Sequence, residues 1–157
     1  MKRILILLFL IAIFNDCCGQ NNNPKKKQIG IIALDTTIAL MPFEKDNYGV
    51  LKNNKSTKLN YKELQMVTEL LSKCIKQRNS EFTLKNNIEL KKYYKQYVAT
   101  INSKGEKEVW VNCFCYLWDT EWRKNLIRVA DGGKCYFNVK INLSRQIYYE
   151  LIINGEG

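Results

Sequence analysis

Histidine is absent from this chain of 157 residues. Without an imidazole, neither Ser-His nor Cys-His nucleophile activation is available. The usual Cys/His zinc sets are gone as well. The remaining Cys113-x-Cys115 spacing is tighter than the Cys-x2-Cys knuckle, so no metal site is expected. Neither a P-loop nor a G-x-G-x-x-G occurs, and Gly132-Gly133 reads as a turn that supplies positive φ rather than a phosphate cradle. Acidic residues are sparse, 15 against 25 Lys and Arg. Asp119 and Glu121 share a loop, where carboxylates are usually solvated, so they are not expected to form a catalytic dyad. The expectation is a non-enzyme without cofactor.

The formal charge is +10. Its lysines are scattered among asparagines, with no basic helix and no Arg-aromatic array, so nucleic acid is not an expected partner. For an exported chain, an anionic membrane surface or an acidic polysaccharide fits this charge better. Export is expected from the N-terminus, "MKRILILLFLIAIFNDCCGQ". Lys2 and Arg3 precede an apolar run, Ile4 to Phe14, too short to span a bilayer comfortably. Residues 1–19 are therefore assigned to a signal peptide. Removing them leaves a charge of about +9. Two processing routes stay open: a cut after Gly19, or lipidation of Cys17 or Cys18 followed by the polar tether "QNNNPKKKQ" (20–28). The localisation implied is the bacterial envelope, either periplasmic or lipid-anchored at a membrane, or secretion.

Residues 29–157 have the length and the apolar content, 46% of the whole chain, of a single packed domain. "IGIIALDTTIALMPF" predicts at least one strand, ended by Pro42. A further short strand is expected at Tyr48–Leu51. A helix is predicted over 60–78, with Asn60 and Glu63 spaced as a capping box. Leu64, Val67, Leu71, Cys74 and Ile75 draw its apolar stripe, and Lys76 and Arg78 suit the C-terminal end of its dipole. Strands follow at 91–101, 107–118 and 147–155, with a short one at 126–130. The clearest is 134–143, where Cys135, Phe137, Val139, Ile141 and Leu143 alternate with polar residues. The fold class expected is α+β, one amphipathic helix packed on a curved antiparallel β-meander.

Strand parity sorts the side chains of 107–118. Val109, Val111, Cys113, Cys115 and Leu117 share one face, as core. Trp110, Phe114, Tyr116 and Trp118 take the other, with Trp122 in the loop beyond. Unless residues 29–51 cover that face, it is an exposed aromatic patch of the kind that marks partner surfaces. Cys74, Cys113, Cys115 and Cys135 are expected to point into one core. In an oxidising compartment, Cys135 bridges to Cys113 or to Cys115, with Cys74 reduced and buried.

The order of helix and meander resembles the cystatin-like architecture, over residues 35–155. The signal segment, the Cys-x-Cys strand, "DGGKCYFNVKINL" and "YYELIING" resemble small uncharacterised exported proteins and lipoproteins of Bacteroidota, a resemblance that carries no activity. Cystatins hold Gln-x-Val-x-Gly in the hairpin after the helix. "QYVAT" places Gln96 and Val98 there, with Thr100 in place of the glycine. The functional expectation is an exported binding or envelope-associated protein, with an unidentified protein or glycan as partner and possible membrane anchorage. The alternative is a cystatin-like protease inhibitor using the 96–102 hairpin.

Overall fold

The computed structural model describes residues 35–44, 51, 53–81 and 87–155. The expected signal segment, Cys17, Cys18, the tether, the run 29–34 and most of the short strand expected at 48–51 lie outside the described residues. In chain order the elements are β1 (Ile38–Met41), β2 (Lys55–Ser56), α1 (Tyr61–Ser80), β3 (Tyr94–Ile101), β4 (Lys107–Phe114), β5 (Tyr136–Asn142) and β6 (Ile147–Ile153). They form one helix and a six-stranded sheet of order β1-β3-β4-β5-β6, with β2 paired to β3. The class is α+β. No helix among the described residues is long and apolar enough to cross a membrane.

The helix begins where its caps place it. The Asn60 side chain accepts from the Glu63 amide at 3.0 Å, and the Asn60 amide donates to the Glu63 carboxylate at 2.8 Å. Two orphan donors of the first turn are thereby satisfied. Lys107 on β4 reaches the other Glu63 oxygen at 2.7 Å, tying the helix start to the sheet. Val67, Leu70, Leu71, Cys74 and Ile75 are buried, and Leu64 is partly so. Arg78, assigned by sequence to the dipole end, is buried too.

The helix covers one sheet face. Its stripe packs on Tyr97, Ala99, Val109, Val111, Cys113, Phe137, Val139 and Ile141. These residues alternate along β3, β4 and β5, and their cross-strand partners fall on the same face, as Val109 opposite Ile141 and Val111 opposite Val139.

Three expectations need correction. The sheet is not wholly antiparallel: β1 runs parallel to β3, Ile38 opposite Lys95 and Met41 opposite Val98, while β2 lies antiparallel further along β3. The helix between β1 and β3 carries the chain back, so both strands enter in one direction. Residues 126–130 are not a strand but an irregular segment over the outer sheet face. Finally, β4 ends at Phe114, not at 118. The Cys115 amide still bonds the Cys135 carbonyl at 2.9 Å, and there the chain leaves the sheet.

Candidate functional site

The aromatic row divides at the end of β4. Trp110, Phe114 and Trp122 are buried in a second core on the outer face, with Ala39, Met41, Leu51, Val98 and Ile127. Tyr94 stacks on Phe114 at 5.7 Å, and Trp122 meets both rings edge-on, at 5.2 Å from Tyr94 and 5.8 Å from Phe114. The cover comes from β1 and Leu51, as one of the two sequence alternatives had it, and equally from the loop 115–132 folding back. Trp110, Phe114 and Trp122 are therefore structural and cannot form a binding face. Tyr116 (64% exposed), Leu117 (36%) and Trp118 (56%) stand out from the surface instead.

That loop is anchored on both sides of its exposed stretch and at several points beyond. At its start, Cys115 is joined to Cys135, with Cα atoms 5.0 Å apart. Beyond Trp118 the Asp119 carboxylate accepts from the Glu121 amide at 2.7 Å, and the Trp122 amide donates to the Asp119 carbonyl at 3.3 Å. These bonds form a tight side-chain-capped turn. Glu121 pairs with Lys124 at 2.5 Å on the surface, so both loop carboxylates of the sequence reading are occupied with local structure. The Arg123 guanidinium lies 4.3 Å from the centre of the Trp122 ring and donates to the Thr36 carbonyl. Near its end, the Asn154 side chain donates to the carbonyls of Val129 (2.5 Å) and Asp131 (3.1 Å). Gly132 follows with φ of +92° and the Tyr136 ring 2.6 Å from where a Cβ would sit, so no other residue fits there without displacement.

The middle of the loop is latched by Gln96. Its amide nitrogen donates to the carbonyls of Trp122 (2.6 Å) and Asn125 (2.7 Å). Its oxygen accepts from the Ile127 amide and from the Asn112 side chain, both at 3.0 Å. Asn112 also donates to the Ile127 carbonyl at 2.9 Å. Gln96, Val98 and Thr100 are all fully buried, so none of the residues that suggested a cystatin-like contact is presented to solvent. The reason is parity: the three alternate onto the face that the loop covers. Thr100 accepts from the Asn54 side chain at 2.9 Å.

The four cysteines of the domain do not share one core. Cys74 and Cys113 are free and buried, on the helix side of the sheet. Cys115 is exposed, because β4 has ended before it, and Cys135 is half-buried. Burial pushes the Cys74 thiol up to about 11 and raises Cys113 as well, which leaves neither as a ready nucleophile. Opening the bridge with Cys115→Ser should cost about 3 kcal/mol, the chain-entropy figure for a loop of this order. The cysteines are 20 residues apart in sequence. Urea melts of the wild type should then depend on reductant and those of the variant should not; identical melts would show that the bridge carries no stability.

A polar network that the sequence did not suggest lies further along the outer face. One Glu108 oxygen accepts from Asn102 (2.8 Å), Tyr149 (2.7 Å) and Asn142 (3.3 Å). Glu106 accepts from the same two asparagines, at 3.1 and 2.8 Å. Burial and the Glu108 hydrogen bond push the Tyr149 phenol well above its ordinary range, so it remains a donor. The network pins the 102–106 hairpin to β5 and β6. Its carboxylates already accept bonds from the protein, which is the pattern of a satisfied structural group. Among the described residues, no three His, Cys, Asp or Glu side chains are grouped to hold a metal ion. No protein-family model, no curated protein and no solved structure matches the chain.

Proposed function

We propose that the protein is an exported, envelope-associated binding protein without enzymatic activity, and that its contact surface is the Tyr116–Trp118 segment. One observation carries this reading. Three consecutive apolar side chains are exposed on a loop that a disulfide, a capped turn and the Gln96 latch hold in place. Such runs are avoided on surfaces that bind nothing. Rigid aromatic side chains make contact at small entropic cost, and Trp and Tyr are over-represented among residues that dominate binding energy. The order of one helix and successive antiparallel strands supports a cystatin-like arrangement at the level of class, with the parallel β1 as a departure. Export rests on the basic start and apolar run of the N-terminus.

The test uses Trp118 as its own reporter. Full-length protein titrated with separated envelope fractions (membrane vesicles, soluble polysaccharide, extracted proteins) should show a shift in tryptophan emission with one of them. Co-sedimentation or pull-down with the responding fraction should show that Trp118→Ala weakens that binding about tenfold or more, as removal of a central aromatic anchor does. Unchanged affinity in Trp118→Ala, or no shift with any fraction, would refute the reading.

A further inference from the structure

We propose that a small cavity between α1 and the start of β3 binds a carboxylate carried on a short aliphatic body. This site is separate from the Tyr116–Trp118 surface and does not rest on the reading of it. The cavity measures about 170 Å³ and is bordered by Asp35, Ile38, Thr68, Leu71, Lys95 and Tyr97. At about 30 Å³ for each water, it has room for about six atoms of that size. A short acid such as butyrate fills that space.

Tyr97 carries the proposal. Its side chain is 1% exposed, and its hydroxyl has no hydrogen-bond partner among the described residues. Buried polar groups are nearly always paired, so an orphaned donor calls for an acceptor from outside the chain. Tyr97 borders a second cavity as well, under Leu40 and Leu59. Its hydroxyl, however, feels Thr68 and Asp35, which line the first cavity and not the second. Thr68 does not satisfy it, since no bond of normal length and angle joins the two. The Thr68 proton itself goes to the Leu64 carbonyl at 3.0 Å. Burial pushes the phenol far above its ordinary range, so Tyr97 stays a donor.

Lys95 supplies the charge. It stands two residues before Tyr97 on β3, and so on the same face of the sheet. Its buried ammonium donates to the Thr37 hydroxyl and to the Tyr93 carbonyl, both at 2.9 Å. For the third proton there is only the Asp35 carboxylate, 3.9 Å away and beyond hydrogen-bond range. Asp35 is half-exposed, and its other oxygen accepts from the Thr37 amide and hydroxyl at 2.9 and 2.7 Å. Lys91, exposed at the rim, adds a second cation, with Glu89 3.7 Å from it. Two donors of β3 therefore open on the cavity, one of them charged. A carboxylate offers an acceptor oxygen to each and the opposite charge at close range. A cation would meet only donors and the Lys95 charge. The walls of Ile38, Leu71 and Leu90 suit an aliphatic body.

The test is a titration of the full-length protein with sodium butyrate, followed by two-dimensional amide NMR. Butyramide and sodium chloride are the controls. Butyrate should shift the amides of β3 and of the middle of α1 in a saturable way. Butyramide has the same shape without the charge and should bind at least tenfold more weakly; chloride should leave those amides in place. Tyr97→Phe keeps the ring and removes a hydroxyl that bonds no protein group, so its urea midpoint should equal or exceed that of the wild type. Its affinity for butyrate should fall about tenfold or more, as loss of a hydrogen bond to a charged acceptor predicts. Equal butyrate affinity in the two proteins overturns the proposal, as does equal binding of butyramide. The absence of saturable shifts in this region would leave the cavity to water alone and overturn it too. A markedly less stable Tyr97→Phe would show that the hydroxyl has a partner within the protein, and would remove the ground for the site.

Discussion

Leu71→Ala should lower the unfolding free energy by about 2–5 kcal/mol, the range for truncating a buried leucine. Leu71 is central in the helix stripe and almost wholly enclosed between α1 and the sheet. The loss has two parts, the transfer of the removed methyl groups and the cavity left where the sheet cannot collapse onto a helix already capped at Asn60. For a domain holding about 5–15 kcal/mol in total, this is a large share. Lys73→Ala, two residues on and exposed, should change stability by no more than about 0.5 kcal/mol. Urea melts of the pair are the check. Equal midpoints would mean that the helix presents a different face to the sheet.

The helix was legible because its information is local. Asn60 and Glu63 satisfy each other within one turn, and the stripe repeats at the period of the helix itself. The strand expected at 134–143 was legible over Tyr136–Asn142 for a similar reason: Phe137, Val139 and Ile141 face a core that the helix completes, while Cys135 lies in the turn before the strand. Strand direction leaves no such trace. Parallel and antiparallel strands alternate with the same period of two, so "IALM" could not disclose that it runs alongside β3. Where β4 stops was also hidden. Continued alternation places Cys113 and Cys115 on one face, and only the departure of the chain after Phe114 sends the first into the core and the second to Cys135. The segment 126–130 has strand-like residues but no ladder. The Ile127 amide and carbonyl are taken by Gln96 and Asn112, up to 31 residues away, and the Val129 carbonyl by Asn154, and no local pattern encodes such partners. The proposed contact surface was half legible for this reason. The aromatic run was visible, but which rings it hides depends on that loop.

Gln96→Met should be among the most disruptive single changes in the protein, although Gln96 touches no solvent. Methionine keeps nearly the same length, so the change removes hydrogen bonds while leaving the space filled. The Trp122 carbonyl and the Ile127 amide would lose their partner at buried positions. An orphaned buried group costs about 1–3 kcal/mol, which puts the variant roughly 2–6 kcal/mol below the wild type. Asn125 is exposed, so water replaces its bond, and Asn112 keeps its own bond to the Ile127 carbonyl. The loss should be uneven across the molecule. In Leu71→Ala, hydrogen exchange should rise in the helix and in the strands it covers, because their common core is weakened. In Gln96→Met, amides of 119–129 should open first, with Trp122 emission moving to the red as its ring meets water, while the helix exchanges more slowly than the loop. The same opening releases Tyr116 and Trp118 from their fixed presentation. Binding through that segment should weaken in Gln96→Met even where the domain is still folded, a loss at a residue that contacts no partner. A variant whose loop stays as protected as in the wild type, with a melt shifted by less than about 0.5 kcal/mol, would show that the disulfide and the buried rings hold the loop without the latch.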